Sequence, residues 1–354
     1  MKPVTIHLAD GPYTDDFYPF SLTRSIADIR CGILTLREKW NYLFTDPGNG
    51  DNELTIPSNL LPNQQLHKAI QRSDRDGIDE AIGRSTRLHN SLDILSLNDA
   101  ELRSDFELLT TGRTSAPISP TNQVIGAKNG NTAQIFLEPG AKVEFAVLNV
   151  TNGPIYIGKN AEVMEGCLIR GPFALGEGAV VKMGARIYGA TTVGPFCVVG
   201  GEIKHAILFG YSNKAHDGYL GDSVIGEWCN LGAGTSNSNV KNTAGNIFLP
   251  IPRKNILIDA GTKCGVFMGD YSRSAINTSF NTGTLIGACV NVFGKGLTPS
   301  YLSSFTWGFD LPERYDFEKA MQHIRQWKQF RNKTMGEEEI ARLKAIYDKE
   351  KSIN

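Results

Sequence analysis

Branched aliphatic residues occupy every sixth position from Ile157 through Val163, Ile169, Leu175, Val181, Ile187 and Val193 to Val199. A helix would repeat its apolar face every ~3.6 residues and a half-buried strand every two, so a sustained period of six predicts a solenoid of hexapeptides. A second track reinforces it. Four places after these aliphatics stand Ala161, Cys167, Ala179, Ala185, Thr191 and Cys197, with Phe173 and Ile203 the larger exceptions. Gly158, Gly176, Gly194 and Gly200 directly follow aliphatics, where the chain has to turn a corner. The expected architecture is a left-handed parallel β-helix with three hexapeptides, about 18 residues, per triangular coil. Leu137 and Val143 are early rungs. The register breaks from Glu202 to Gly221, resumes at Ile225 and Leu231, breaks again over residues 236–256, and returns at Ile286 and Val292.

Outside the solenoid the pattern changes. Val4, Ile6 and Leu8 alternate with polar residues and run into LADGPYTDD, which reads as an opening strand delivered into a loop. Ile26, Ile29, Ile33, Leu36 and Trp40 share a face at spacings of three and four and predict a helix. Asn98 with Glu101 resembles a capping box that opens a second helix through Leu102, Phe106 and Leu109. The Thr-, Ser- and Pro-rich run TTGRTSAPISPTNQ marks a boundary, giving an α/β region over 1–110, a linker over 111–123 and the β-helix over 124–310. Residues 311–354 are expected to form helices, one through Phe317, Met321, Ile324 and Trp327 and another through Ile340, Leu343, Ile346 and Tyr347, covering the open end of the solenoid or a neighbouring subunit.

Composition narrows the function class. A net charge of −1 gives no electrostatic reason to expect nucleic acid or an anionic membrane as partner. The 37 glycines concentrate in the second half, which suits a fold of many corners. The six cysteines form no CxxC pair and read as core thiols. With no secretory h-region and no long apolar span, a reducing cytoplasm is the expected location.

A regular wall is scaffold, so chemistry is expected where it is interrupted. Residues 202–239 hold Lys204, His205, Lys214, His216, Asp217, Tyr219, Asn230, Thr235 and Asn239. Their pattern, K-(x)11-H-x-x-Y-x-G-D-S-V-I-G-x-x-x-N-x-G-A-G-T-x-x-x-N, resembles the acetyltransferase half of the bifunctional family that makes UDP-N-acetylglucosamine from glucosamine-1-phosphate. The archaeal and Bacteroidetes branches share GEIK, GDSVIG and NLGAGT, and LREKW, MEG, RGPFAL and YGATTVGP extend the likeness along the chain. The resemblance implies N-acetylation of glucosamine-1-phosphate, or a close amino-sugar-1-phosphate, by acetyl-CoA. His216 matches the general base that takes the amine proton, a task suited to an imidazole near neutrality. Lys204 matches a lysine that holds the sugar phosphate, Tyr219, Asn230 and Asn239 match residues that hydrogen-bond the sugar phosphate, and Ala233 matches a position whose backbone amide meets the thioester. A homotrimer, with the coenzyme in a groove between subunits, is also implied. Asp217 reads as an imidazole partner or as solvated surface. By charge alone Arg253, Lys254, Lys263 and Lys295 are candidates for the coenzyme phosphates.

The N-terminal region is expected to be nucleotidyltransferase-like but altered. LADGPYTDDFYPF keeps Leu8, Ala9, Gly11 and Pro19 of the family's glycine-rich loop, lacks its second glycine, and has Phe20 where a lysine belongs. Arg24 and Lys39 are left as candidate phosphate contacts and Asp10 as a candidate metal contact, each reading equally as surface or as a salt-bridge partner. Two further readings follow: uridylyl transfer to a sugar-1-phosphate, with Mg2+ required only if that domain is active, and a non-catalytic sugar-nucleotide-binding scaffold.

Overall fold

The structure, a computed structural model, describes residues 4–44, 52–72, 74–126 and 133–350. Short parallel strands stack into a three-sided solenoid from Gln123 onward. One face carries Ile135–Leu137, Ile155–Ile157, Phe173–Leu175 and Thr191–Val193. A second carries Glu162–Val163, Val180–Val181, Val198–Val199, Asn213–Lys214 and Asn230–Leu231. The third carries Val147–Asn149, Leu168–Arg170 and Arg186–Tyr188. Residues one coil apart pair in register, so each aliphatic of the six-residue track stacks on its counterpart: Val163 on Val181 on Val199, and Ile169 on Ile187 on Ile203. All are at most 2% exposed, each contributing roughly 1.5–3 kcal/mol as an upper bound. The compact track is buried inside the corners; Ala161, Cys167, Ala179, Ala185 and Cys197 are wholly inaccessible.

The stretch from Glu202 to Gly221, where the six-residue register breaks, stays in the wall. Two long strands, Glu202–Gly210 and Tyr219–Glu227, bend from the third face into the first and pair with each other throughout. The coils are shorter here: Ile187 to Ile203 is 16 positions and Ile203 to Leu220 is 17. The contraction explains Ile203, the oversized member of the small-residue track. The corner at Gly200 and Gly201 is tighter, and Ile203 is the interior residue of the next face. The second interruption does leave the wall, as an antiparallel hairpin of Phe248–Ile251 with Ile256–Asp259.

Strand burial shows which face is covered. First-face strands are buried on both sides, whereas Leu168–Arg170 and Arg186–Tyr188 of the third face alternate exposed, buried, exposed. The cover is the N-terminal region. Its β1 (Val4–Ala9) and β2 (Asn52–Pro57) form a two-stranded parallel sheet, with α1 (Leu36–Leu43) between them in the chain and α2 (Gln64–Arg72), α3 (Arg75–Arg84), α4 (Ser91–Ser96) and α5 (Asn98–Thr110) after them. Trp40, Ile56, Leu60, Leu66 and Ile70 make a small core of their own. Phe17, Phe20, Ile26 and Ile29 instead share a core with Ile207, Phe209, Val224 and Phe267 on the outer side of the first face.

Two N-terminal expectations are corrected. The predicted helix through Ile26 and Trp40 divides into a single 3-10 turn, Ile26–Asp28, and an α-helix that begins only at Leu36, with a capping box of Thr35 and Glu38. Before it, Gly32 adopts φ +86° and sends its N–H to Asn98. Asn98 is therefore not a cap. It is fully buried, accepting from Gly32 and donating to the Ala190 carbonyl at 3.1 Å. The C-terminal helices, α6 (Phe317–Gln329) and α7 (Glu337–Lys349), lie where expected in sequence, but Met321, Ile324, Leu343 and Ile346 join the core shared by the N-terminal region and the solenoid flank. Phe309 is the residue packed against the solenoid interior near that end, and Ala116 and Ile118 are packed against it near the other.

Candidate functional site

The shortened coils build an unusual corner. Between the third and first faces the interval from one interior residue to the next falls from six (Ile187 to Val193) to five (Ile203 to Leu208, and Leu220 to Ile225). His205 and Asp222 make the turn on successive coils with φ of +48° and +49°, a region in which His and Asp are among the better tolerated side chains. They stack, and His205 Nδ1 lies 2.7 Å from Asp222 Oδ1. Asp222 Oδ2 accepts from Asn239 Nδ2, which also donates to Tyr219 Oη at 3.1 Å. Burial pushes the Asp222 carboxyl up, but the hydrogen bonds from His205 and Asn239, with Lys204 nearby, hold it below the ordinary value. The Tyr219 ring lies over Gly221, where a Cβ would come 2.2 Å from its hydroxyl; only glycine leaves room.

Lys204, Tyr219 and Asn239 are thus gathered at one end of the third face. Lys204 is half-buried, flanked in register by Gly221 on one coil and Tyr188 on the other. His216 lies on the edge between the second and third faces. Its ring is exposed and has no hydrogen-bond partner among the described residues. His205 has no such freedom, since Nε2 faces the Leu95 carbonyl at 3.1 Å while Nδ1 faces Asp222. Of the two histidines in this stretch, His216 is the one whose ring nitrogens face no hydrogen-bond partner among the described residues. The Asp217 carboxylate does not contact the ring; Asp217 is exposed, and its main-chain oxygen accepts from Gly234. Ala233 occupies the same edge one coil on, and its N–H donates to no group among the described residues, whereas its carbonyl accepts from Asn277. Asn230 is not part of the hydrogen-bonded group. It sits on the second face in the outward column of Asn213 and Arg273.

Lys214, which the pattern did not single out for a role, occupies a rung slot. It pairs with Val199 and is 1% exposed. Its ammonium donates to the main-chain oxygen of His216 at 2.5 Å. Burial pushes its pKa down to about 8, with Asp217 opposing. The unfolded chain therefore binds more protons than the folded one between about pH 8 and the ordinary lysine value near 10.5, and stability contributed at this position rises with pH through that window. Lys214→Met is expected to gain roughly 2 kcal/mol at pH 7, the advantage shrinking toward pH 10. Urea unfolding at the two pH values measures this, and a less stable variant at pH 7 contradicts it.

Of the readings left open for the N-terminal cations, Arg24 and Lys39 take that of salt-bridge partner. Arg24 pairs with Asp270 and, at 3.1 Å, with Glu227. Lys39, 2% exposed, pairs with Glu101 and Asp105. Asp10 accepts from Ser25 Oγ and the Ile26 N–H, and among the described residues no group of three or more His, Cys, Asp or Glu side chains is arranged to hold a metal. Of the cations suggested for coenzyme phosphates, Arg253 and Lys254 pair with Asp15 and Asp16, and Lys263 and Lys295 are exposed.

Comparison with known proteins agrees with the resemblance read from the sequence. A family described as sugar nucleotidyl transferase matches residues 6–49. The bifunctional protein GlmU of Methanocaldococcus jannaschii is 33% identical over 87 residues, 25% of this chain and 21% of that protein. A bifunctional sugar-1-phosphate nucleotidylyltransferase/acetyltransferase of Sulfurisphaera tokodaii is 33% identical over 92 residues, 26% of this chain and 23% of that one. The matches thus span about a fifth of the length of these relatives. Among solved structures, the Arabidopsis UDP-N-acetylglucosamine acyltransferase matches 58% of this chain and 76% of its own at 12% identity, with a TM-score of 0.32.

Proposed function

We propose that the chain transfers the acetyl group of acetyl-CoA to the amine of glucosamine-1-phosphate or a close amino-sugar-1-phosphate. The observation that carries this reading is the exposed, unengaged imidazole of His216 on the solenoid edge. It stands in the same short coils as a lysine, a tyrosine and an asparagine gathered on the adjoining face. Acetyl-CoA supplies the activated thioester carbonyl. His216 accepts the proton released as the amine forms its new C–N bond; the thioester C–S bond breaks as the carbonyl reforms, and CoA leaves as its thiol on taking up that proton. Lys204 sets a point charge against the sugar phosphate. Tyr219 and Asn239, already bonded to each other, present hydroxyl and amide groups to the sugar. The open N–H of Ala233 is offered to the carbonyl oxygen as charge develops on it. Asn230 would act from the second face, which supports assembly of a site between copies of the chain in a homotrimer; the exposed Ile125, Leu168 and Tyr188 of the third face also favour an assembly. Six free, buried cysteines suit a reducing cytoplasm, and no helix among the described residues is long and apolar enough to cross a membrane.

A second reading, uridylyl transfer by the N-terminal region with magnesium, is favoured by the match over residues 6–49. Against it, Arg24 and Lys39 are held in buried ion pairs. Two assays on one preparation separate the readings. Acetyl transfer predicts CoA thiol release that depends on the sugar phosphate, and uridylyl transfer predicts pyrophosphate release from UTP. Thiol release no faster than background hydrolysis would sink the first reading.

A further inference from the structure

The corner residues His205 and Asp222 join two parts of the molecule that the proposed reaction treats separately. Starting in the N-terminal region, the Leu95 carbonyl in the last turn of α4 faces His205 Nε2 at 3.1 Å; His205 Nδ1 faces Asp222 Oδ1 at 2.7 Å; Asp222 Oδ2 accepts from Asn239; and Asn239 donates to Tyr219 Oη at 3.1 Å. Both ring nitrogens of His205 point at acceptors, a carbonyl and a carboxylate. The ring therefore bridges the two groups and is fixed at both of its nitrogens. The two side chains are 30% and 7% exposed, which shelters the pair from solvent screening.

We infer that His205 and Asp222 are positioning residues that set the acceptor side of the proposed acetyl-transfer site from the N-terminal region, through the bonds Leu95–His205–Asp222–Asn239–Tyr219. The inference rests on the acetyl-transfer reading. It differs from a purely conformational account, in which His and Asp stand at these corners only because they tolerate a positive φ. Asp222 has a carboxylate oxygen for each neighbour, so it fixes where Asn239 and, through it, the Tyr219 hydroxyl stand. The Tyr219 ring packs on Gly221, and the Asn239 amide sets the direction of its hydroxyl. A hydroxyl held in place before the sugar arrives lowers the ordering cost of binding. The N-terminal region thereby acts on the acetyltransferase face whether or not it catalyses anything itself.

Asparagine suits a positive φ as well as histidine does, but its single carboxamide cannot span the Leu95 carbonyl and the Asp222 carboxylate. His205→Asn therefore keeps the corner and breaks the chain. The expected result is a roughly ten-fold higher KM for glucosamine-1-phosphate, with the KM for acetyl-CoA unchanged and kcat within about three-fold. Asp222→Asn, isosteric and equally suited to the corner, should shift KM in the same direction. With Tyr219→Phe as the background, His205→Asn should add little, since its effect runs through that hydroxyl. An unchanged KM for the sugar phosphate in a folded His205→Asn protein overturns the inference, as does full additivity with Tyr219→Phe. Should His205→Asn fail to fold, the Asp222→Asn measurement decides on the same criterion. Wild-type protein that shows no acetyl transfer would defeat the underlying reading instead, so the two failures are distinguishable.

Discussion

His216→Ala is expected to lower kcat for acetyl transfer by ~10²–10⁴-fold, the usual contribution of a positioned general base. The KM for both substrates should stay within a few-fold. Stability should also be unaffected, because the ring is exposed and bonds to no described residue, and the contact that anchors this edge runs from Lys214 to the main-chain oxygen of residue 216, which alanine retains. Steady-state kinetics together with a melting curve and a sizing measurement checks all three points. Undiminished turnover by an intact oligomer would remove His216 from the mechanism. His205 could not then take over as it stands, because both its nitrogens are engaged. The comparison also limits how the result can be explained: a drop in kcat accompanied by a lower melting temperature would indicate a structural histidine and contradict the account.

Arg24→Ala is expected to destabilise the fold by about 3–5 kcal/mol, because it leaves Asp270 charged and unpaired at 2% exposure. Asp270 would keep only Thr23 Oγ1 at 2.6 Å and the Glu227 N–H at 2.8 Å. The arginine also packs over the Phe209 ring at 5.2 Å, so its loss loosens the face on which the N-terminal region rests. Denaturant unfolding measures the effect. Replacing Arg24 and Asp270 together by apolar residues should recover a substantial part of it, since the cost arises from the unpaired charge more than from the missing pair. If Arg24 instead served as a nucleotide contact, its removal would abolish pyrophosphate release from UTP and leave stability nearly unchanged.

The hexapeptide wall was legible because an interior slot that recurs every six residues accepts little besides an aliphatic side chain, and eight consecutive slots obey that rule. The covering of one face was less legible. Phe136, Tyr156, Ile207 and Phe267 lie on the outer side of first-face strands, and a period of six does not say what lies outside. Local rules also misled where tertiary contacts prevailed. Asn98 looks like the start of a capping box but is used to tie Gly32 to Ala190, and the apolar spacing from Ile26 to Trp40 spans a left-handed glycine that no helix accommodates without strain.

At the candidate site, the family resemblance pointed to Lys204, His216, Tyr219, Asn230, Ala233 and Asn239. It missed Asp222 because that role exists only when one coil stacks on the next and brings residue 222 against residue 205. The available signal was the contraction from six to five between interior residues at both corners. Lys214 was missed for a related reason. Charged residues in an interrupted stretch read as surface, and only the pairing with Val199 reveals that this one points inward. A buried lysine that weakens the wall while holding the main chain of His216 breaks a packing rule at the place where function is proposed.

The central claim is that the shortened coils transfer an acetyl group to an amine. Its most direct test is CoA thiol release by the intact chain with acetyl-CoA, comparing glucosamine-1-phosphate with glucose-1-phosphate. The two acceptors share a phosphate and a ring and differ in the amine that His216 is proposed to deprotonate. Saturable release with the amino sugar and only background release with glucose-1-phosphate is the predicted result; equal rates with both, or no release above hydrolysis with either, would contradict the account.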